Sequence, residues 1–341
     1  MTKKKTLACF YVLAASALWG CVSIFVREMN KAGLSALEVL QVRSIVGAIC
    51  IGVYLLLFHR EKFRFRLKDI WCFLGVGVCN MLLVSYCQFT GLSVGSVAVM
   101  SVLLYTGPIF VMLFSVLLFH EKLTKTKLLA LFLAFAGCCF ASGVGSEDTI
   151  SVQIVLLGLG AGIGYSMYSV FGRFAINRGY DSWTITFYAF FFCALVNSFL
   201  VDWGALSGAV QTDPGIWVTF LLFGFLMGFL AYLLYTMGLQ GVESGYAAIL
   251  ASAELVVATI VGTVFYHEPL TAFILIGIAL VLSTVVSSLS GTVIPLFFKK
   301  IHVDPAVASG PLITTVNDLV AVITYYGLSW VLLIEMMHLA E

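Results

Sequence analysis

Residues 91–124, GLSVGSVAVMSVLLYTGPIFVMLFSVLLFHEKLT, return without a gap at residues 238–271 as GLQGVESGYAAILASAELVVATIVGTVFYHEPLT. Gly91-Leu92 falls on Gly238-Leu239. Phe119-His120-Glu121-Lys122-Leu123-Thr124 falls on Tyr266-His267-Glu268-Pro269-Leu270-Thr271. A second match lays Trp19–Arg27 (WGCVSIFVR) over Tyr165–Arg173 (YSMYSVFGR), pairing Trp19 with Tyr165, Ser23 with Ser169, Phe25 with Phe171 and Arg27 with Arg173. Echoes this long, offset by about half the chain, mark a duplicated unit. Whatever one half folds into, the molecule contains it twice.

What a half can be follows from its solvent. Apolar residues make up 61% of the chain and charged residues 10%, where a soluble domain carries about 25% charged residues. The chain therefore folds in a lipid bilayer. A net charge of +1 gives no reason to expect a nucleic-acid partner. The nine cysteines (Cys9, Cys21, Cys50, Cys72, Cys79, Cys87, Cys138, Cys139, Cys193) all lie in apolar runs without a CxxC. They read as small buried side chains rather than disulfides or metal ligands. Lys3-Lys4-Lys5 ahead of an apolar run resembles a signal peptide. The run continues past Trp19 to Val26, too long for an h-region, so it reads as a retained first span.

A hydrocarbon core of ~30 Å needs about 20 apolar residues per helix. On that measure spans fall at about 7–28, 35–58, 70–90, 96–119, 125–143, 152–176, 182–201, 216–239, 245–266, 271–296 and 311–336. Ten belong to the duplicated part and the eleventh is an appendage. Basic residues set the orientation. Lys3, Lys4 and Lys5, then Arg60, Lys62, Arg64, Arg66 and Lys68, then Lys122, Lys125 and Lys127, then Arg173 and Arg178, then Lys299 and Lys300 fall on one side, against Arg27 and Lys31 on the other. That places the N-terminus in the cytoplasm and, if the last span crosses, the C-terminus outside. Five is odd, so the second copy crosses upside down relative to the first, the plan of many secondary transporters. The expected fold is an all-α membrane protein of two inverted five-helix repeats, 1–145 and 146–290, with a tail, 291–341, that adds one helix.

The chain resembles the drug/metabolite transporter superfamily, specifically its ten-helix exporters with two EamA-type repeats. The matching residues are Trp19-Gly20 in helix 1, Arg43 in helix 2, Pro108 in mid helix 4, and Glu121 and Glu268 ending helices 4 and 9. Where the family pattern has Glu-Pro in helix 9, this chain has Glu254-Leu255, which leaves open whether helix 9 breaks as helix 4 does. The resemblance covers about residues 7–290. Beyond it, GTVIPLFFKKIHVDPAVASGPLITTVNDLVAVITYYGLSWVLL resembles the last loop and helix of MgtE-type magnesium channels. That second resemblance implies an ion-lining role for Asp318, although a glycine usual three residues later is Ala321 here.

Ionisable groups deep in a membrane cost ~2.5–3.5 kcal/mol each and mark function. Arg43 and Glu254 both come near the midplane when counted at about 1.5 Å per residue. Either Arg43 binds a substrate carboxylate and Glu254 a substrate amine or a proton, or the two form a structural ion pair. Pro108, after Tyr105, Thr106 and Gly107, removes a helix donor and frees a carbonyl, either to line a cavity or to ease packing. Trp19, Tyr165, Tyr168, Tyr232 and Tyr235, with Tyr105, offer aromatic walls for a pocket. Asn80, Gln88 and Asn197 suit interhelical hydrogen bonds, and Glu121 and Glu268 an anchoring role. His120 and His267 lack a second histidine at metal spacing. For Asp318, a lone carboxylate does not hold magnesium, which takes octahedral oxygen ligands.

The reading with most support is a secondary transporter in a bacterial-type plasma membrane. It would export a small polar metabolite, an amino acid or related amine, by alternating access between the repeats. The resemblance supplies the export direction. No nucleotide motif or cofactor site is present in the sequence, so a solute or ion gradient, such as a proton gradient, would drive it. A second copy of the chain is left open as a partner. The alternative is a divalent-cation conduit or accessory subunit built on the tail. An intramembrane enzyme or a non-transporting scaffold ranks last, since the chain offers no paired midspan aspartates, no Ser/His arrangement in one span and no metal-ligand cluster.

Overall fold

The computed structural model describes residues 2–94, 97–141, 151–268 and 271–300, together with Thr315. Among these the chain forms helices and no strand. Seven helices are long and apolar enough to cross a bilayer, and three shorter apolar ones accompany them. In chain order they are α1 (Lys4–Lys31), α2 (Ala36–Phe58), α3 (Leu67–Gln88), α4 (Val99–Phe119), α5 (Lys127–Phe140), α6 (Val152–Asn177), α7 (Ser182–Asn197), α8 (Ile216–Leu239), α9 (Ser244–Tyr266) and α10 (Ile274–Val286). The last is the core of a longer helix, Ala272–Lys300. The span expected at 311–336, and Asp318 with it, lies outside the described residues.

Backbone geometry carries the duplication further than residue identity does. Among the described residues, positive φ occurs at Gly33 (82°), Gly179 (89°), His120 (54°) and His267 (53°). These are two pairs, 146 and 147 residues apart, and each member ends a helix. After the first pair, the Leu34 N–H donates to Met29 O and the Tyr180 N–H to Ala175 O, both at 3.2 Å. Ser35 then caps α2, with Glu38 closing a capping box, and Asp181 caps α7. After the second pair, the Glu121 N–H reaches Ser115 O and the Glu268 N–H reaches Gly262 O, again both at 3.2 Å. These are left-handed C-terminal caps, whose preferred residue is glycine. Left-handed backbone costs a residue with a Cβ ~1–2 kcal/mol. His120→Gly and His267→Gly should therefore each raise the thermal unfolding midpoint in detergent. A fall instead would mean that the imidazoles carry contacts worth more than the strain.

Packing is exchanged between the halves in the same paired way. Helix α1 lies mainly against α8 and α9, and α6 against α3 and α4. Helices α2 and α7 pack on each other, as do α5 and α10, and α4 touches α9. Swapping the halves leaves this pattern unchanged, as an inverted repeat requires. Polar ties sort the connections onto two faces. On the face rich in Lys and Arg, Lys62 pairs with Asp181 at 2.7 Å, Arg178 with Asp69 at 2.9 Å, and Lys127 with Glu243. Burial makes the Asp181 carboxylate harder to ionise, but Lys62 and Thr184 more than offset this and hold its pKa below the ordinary value. On the opposite face Arg27 pairs with Glu268, and Glu38 accepts the Asp202 N–H at 3.0 Å. These last two ties join the halves there.

Three membrane helices are interrupted. Helix α4 consists of Val97–Leu104 and Gly107–Phe119, with Pro108 in the first turn of the second piece. Helix α9 consists of Ser244–Ala251 and Glu254–Tyr266. The question left by Leu255 is thereby settled: α9 breaks at the register of α4 without a proline. The break in α1, at Cys21 between Gly20 and Val22, had no sequence signal. Helices α3 and α8 each widen into π-helix near their centres, at Gly75–Leu82 and Gly224–Leu230. All nine cysteines are free thiols.

Candidate functional site

The interruptions meet at one place. A cavity of about 260 Å³ lies between the halves, lined by α1, α2, α3, α4, α6, α8 and α9. Its walls include Trp19, Arg43, Tyr105, Tyr165, Tyr168, Tyr232, Tyr235 and Glu254. Eight of the nine pocket candidates read from the sequence thus converge here. The ninth, Pro108, does not line the cavity. It is buried at the start of the second piece of α4, where its missing N–H costs nothing. Asp318 lies outside the described residues.

Each wall has a local cause. On α6, Tyr165, Tyr168 and Ser169 follow the three-and-four spacing that puts side chains on one helix face. Tyr232 and Tyr235 do the same on α8. Their rings interlock with Trp19, at centroid distances of 5.1 Å to Tyr232 and 5.2 Å to Tyr235, and Tyr168 meets Tyr232 at 5.0 Å. Tyr168 shares a 2.7 Å hydrogen bond with Thr236, and Tyr235 one of 2.8 Å with Ser169. Asn80 donates to Gly164 O at 3.0 Å and Tyr165 O at 3.3 Å, pinning α3 to α6 as an interhelical bond while lining the cavity as well. Asn197, also read as an interhelical bond, donates to Leu37 O at 2.9 Å. Sequence reasoning missed Gly20, Val22, Leu104, Ser169 and Ala258 in the lining. The periodicity of α6 was the available signal for Ser169.

Gly20 holds α1 against the break in α9. A Cβ there would come within 2.7 Å of Glu254 O and collide with Val257. Gly20→Leu should therefore push α1 off α9 and close or distort the cavity. Loss of solute-induced thermal stabilisation, with the helical circular-dichroism signal kept, would check this.

The two midplane charges are not a pair. Among the described residues, no carboxylate lies within 4.0 Å of the Arg43 guanidinium and no basic group within 4.0 Å of Glu254. The Arg43 Nε is buried without a hydrogen-bond partner, as is the Trp19 indole N–H. The Arg43 guanidinium sits 5.5 Å from the Tyr232 ring centroid. The Glu254 carboxyl meets the Tyr105 hydroxyl. Their symmetry mates, 146 and 147 residues away, are Ala189 and Gly107. Arg27 and Arg173, or Glu121 and Glu268, by contrast occur in both copies. Charges that come twice hold the frame: Glu268 binds Arg27, Glu121 accepts the Ser244 N–H at 3.0 Å, and Arg173 donates to Ser244 Oγ at 3.0 Å. Arg43 and Glu254 come once, in a cavity, with hydrogen-bonding capacity unused. No group of three or more His, Cys, Asp or Glu suited to a metal occurs among the described residues.

Comparison with known proteins gives four findings. The model of the EamA-like transporter family matches the chain twice, at residues 6–143 and 152–290. An uncharacterized transporter of Archaeoglobus fulgidus is 28% identical over 278 residues, covering 80% of this chain and 93% of that protein. The magnesium transporter MgtE of Bacillus subtilis is 39% identical over 74 residues, only 22% of this chain and 16% of that one. A solved crystal structure shares the fold with a TM-score of 0.66 at 16% identity, covering 82% of this chain and 94% of its own.

Proposed function

Because the chain belongs to the EamA-like transporter family, we propose that it is a secondary transporter whose solute binds in the central cavity. The solute is a small polar metabolite, an amino acid or related amine. The cavity of about 260 Å³ falls below the ~300–1,000 Å³ of pockets for drug-sized ligands. A carboxylate would be held by Arg43 and an ammonium, or a coupling proton, by Glu254. The aromatic walls would cover the carbon skeleton. The observation that supports this reading most is the unpaired placement of Arg43 and Glu254 in one cavity between the repeats.

On this reading the Lys- and Arg-rich face is cytoplasmic, the membrane is the plasma membrane, and net movement is outward. Purified protein in proteoliposomes should show saturable amino-acid or amine flux that responds to an imposed pH gradient. Absence of saturable flux across a panel of amino acids, amines and nucleobases would end the proposal.

The stretch similar to MgtE favours a second reading, divalent-cation conduction dependent on Asp318. Deleting residues 301–341 separates the two. Retained amino-acid or amine flux supports the first reading. Cation conductance that vanishes with the deletion, with no organic solute moved, supports the second.

A further inference from the structure

The two faces of the cavity differ, and the duplication says how. Toward the face of Arg27 and Glu268, the cavity adjoins a second space of about 560 Å³, with Val22 and Arg43 lining both. This vestibule is also lined by Val26, Ala36 and Gln88. Carried through the repeat offset, Val22, Val26, Ala36, Arg43 and Gln88 become Tyr168, Gly172, Ser182, Ala189 and Tyr235. Each of these five is partly exposed and each of their mates is buried, whereas Ser35 and Ser85 are partly exposed in both copies, Val39 and Leu40 are buried in both, and Leu34 is buried where Tyr180 is partly exposed. At these five positions the seam is open on one face and packed on the other.

We propose that this packed seam, between α3, α6, α7 and α8, is the closed leg of the solute path toward the Lys- and Arg-rich face. Its gate is the hydroxyl cluster at Thr236. Tyr168 shares a 2.7 Å bond with Thr236 Oγ1, and Thr186 Oγ1 reaches the same oxygen at 3.3 Å. Thr236 thus ties α6, α7 and α8 at one atom, just under the cavity walls Tyr232 and Tyr235. Below it, the loop after α2 is fastened across the seam. Lys62 pairs with Asp181, Asp69 accepts from Arg178 and from Tyr180 at 2.8 Å, and Tyr188 donates to Phe63 O at 2.6 Å. Opening the seam exchanges the two arrangements. The vestibule packs, and the residues around Thr186 and Ser182 line a passage. This assignment rests on the transporter reading for its solute but not for its geometry.

The test uses reconstituted full-length chain carrying Ser182→Cys or its mate Ala36→Cys, probed with a charged, membrane-impermeant thiol reagent from each side, with unsubstituted chain as the background. In the resting state Ala36→Cys reacts and Ser182→Cys is protected. Adding Thr236→Val keeps the side chain's shape but removes both interhelical bonds, along with the donation of Thr236 Oγ1 to Tyr232 O within α8. It should raise Ser182→Cys labelling from the Lys- and Arg-rich face about tenfold and lower Ala36→Cys labelling from the other. Thr236→Ser, which restores the hydroxyl, should return both to the resting pattern. Flux measured on the same vesicles keeps the two readings apart. Reciprocal labelling without flux of any solute supports the gate and removes the transporter. Solute flux with Ser182→Cys protected throughout removes the gate, as does a rise at both positions together, which reports a loosened fold.

Discussion

Glu254→Gln is expected to abolish pH-driven transport. The substitution keeps the shape and a hydrogen-bonding partner for Tyr105 and removes only the titratable charge. Glu254 stands at the start of the second piece of α9, in a cavity whose walls include six aromatic rings, with no basic group within 4.0 Å among the described residues. A carboxylate placed there costs ~2.5–3.5 kcal/mol, which the Tyr105 hydroxyl offsets only in part, so a bound cation has the most to offer it. Losing one partner of such a contact costs about 2–5 kcal/mol, a fall in coupled flux of ~30-fold to several thousandfold. Exchange of solute between loaded vesicles without a pH gradient separates the two roles. Exchange retained with coupling lost assigns the proton to Glu254, and loss of both assigns the ammonium. Unchanged pH-driven flux would remove Glu254 from the mechanism.

The second large effect is at Arg43. Its Nε is buried and unpartnered at the junction of cavity and vestibule, so a carboxylate entering there meets an unused donor. Arg43→Leu should cut flux of amino acids about 10²-fold while leaving amines without a carboxylate near the wild-type rate. Arg43→Lys should restore only part of it, because an ammonium lacks the planar fork that binds carboxylate with two bonds. Equal loss for both solute types would make Arg43 a packing residue against Tyr232.

Much of this frame was legible in the sequence because it is written twice. The echo at residues 91–124 and 238–271 and the count of apolar runs gave ten spans, and the aromatic and charged positions of α1, α2, α6, α8 and α9 gave most of the cavity. Illegible features were those without a residue signature. The break in α9 occurs beside Leu255 without a proline, where Gly20 of α1 leaves no room for a Cβ against Glu254 O. The break at Cys21 and the two π-helical stretches likewise carry no proline. Pro108, left open between lining a cavity and easing packing, is buried in the first turn of a helix piece and does not line the cavity. Whether Arg43 and Glu254 touch could not follow from depth alone, because depth says nothing about which helices are neighbours.

One labelling experiment bears most directly on the head-to-foot arrangement of the two modules. Lys31 and Asn177 are mates, 146 residues apart, exposed at the ends of α1 and α6. With a cysteine at one or the other in sealed vesicles, a charged thiol reagent should reach Lys31→Cys from one side only and Asn177→Cys only from the opposite side. If both react from the same side, the modules thread the lipid in the same sense, and no passage of the kind described runs between them.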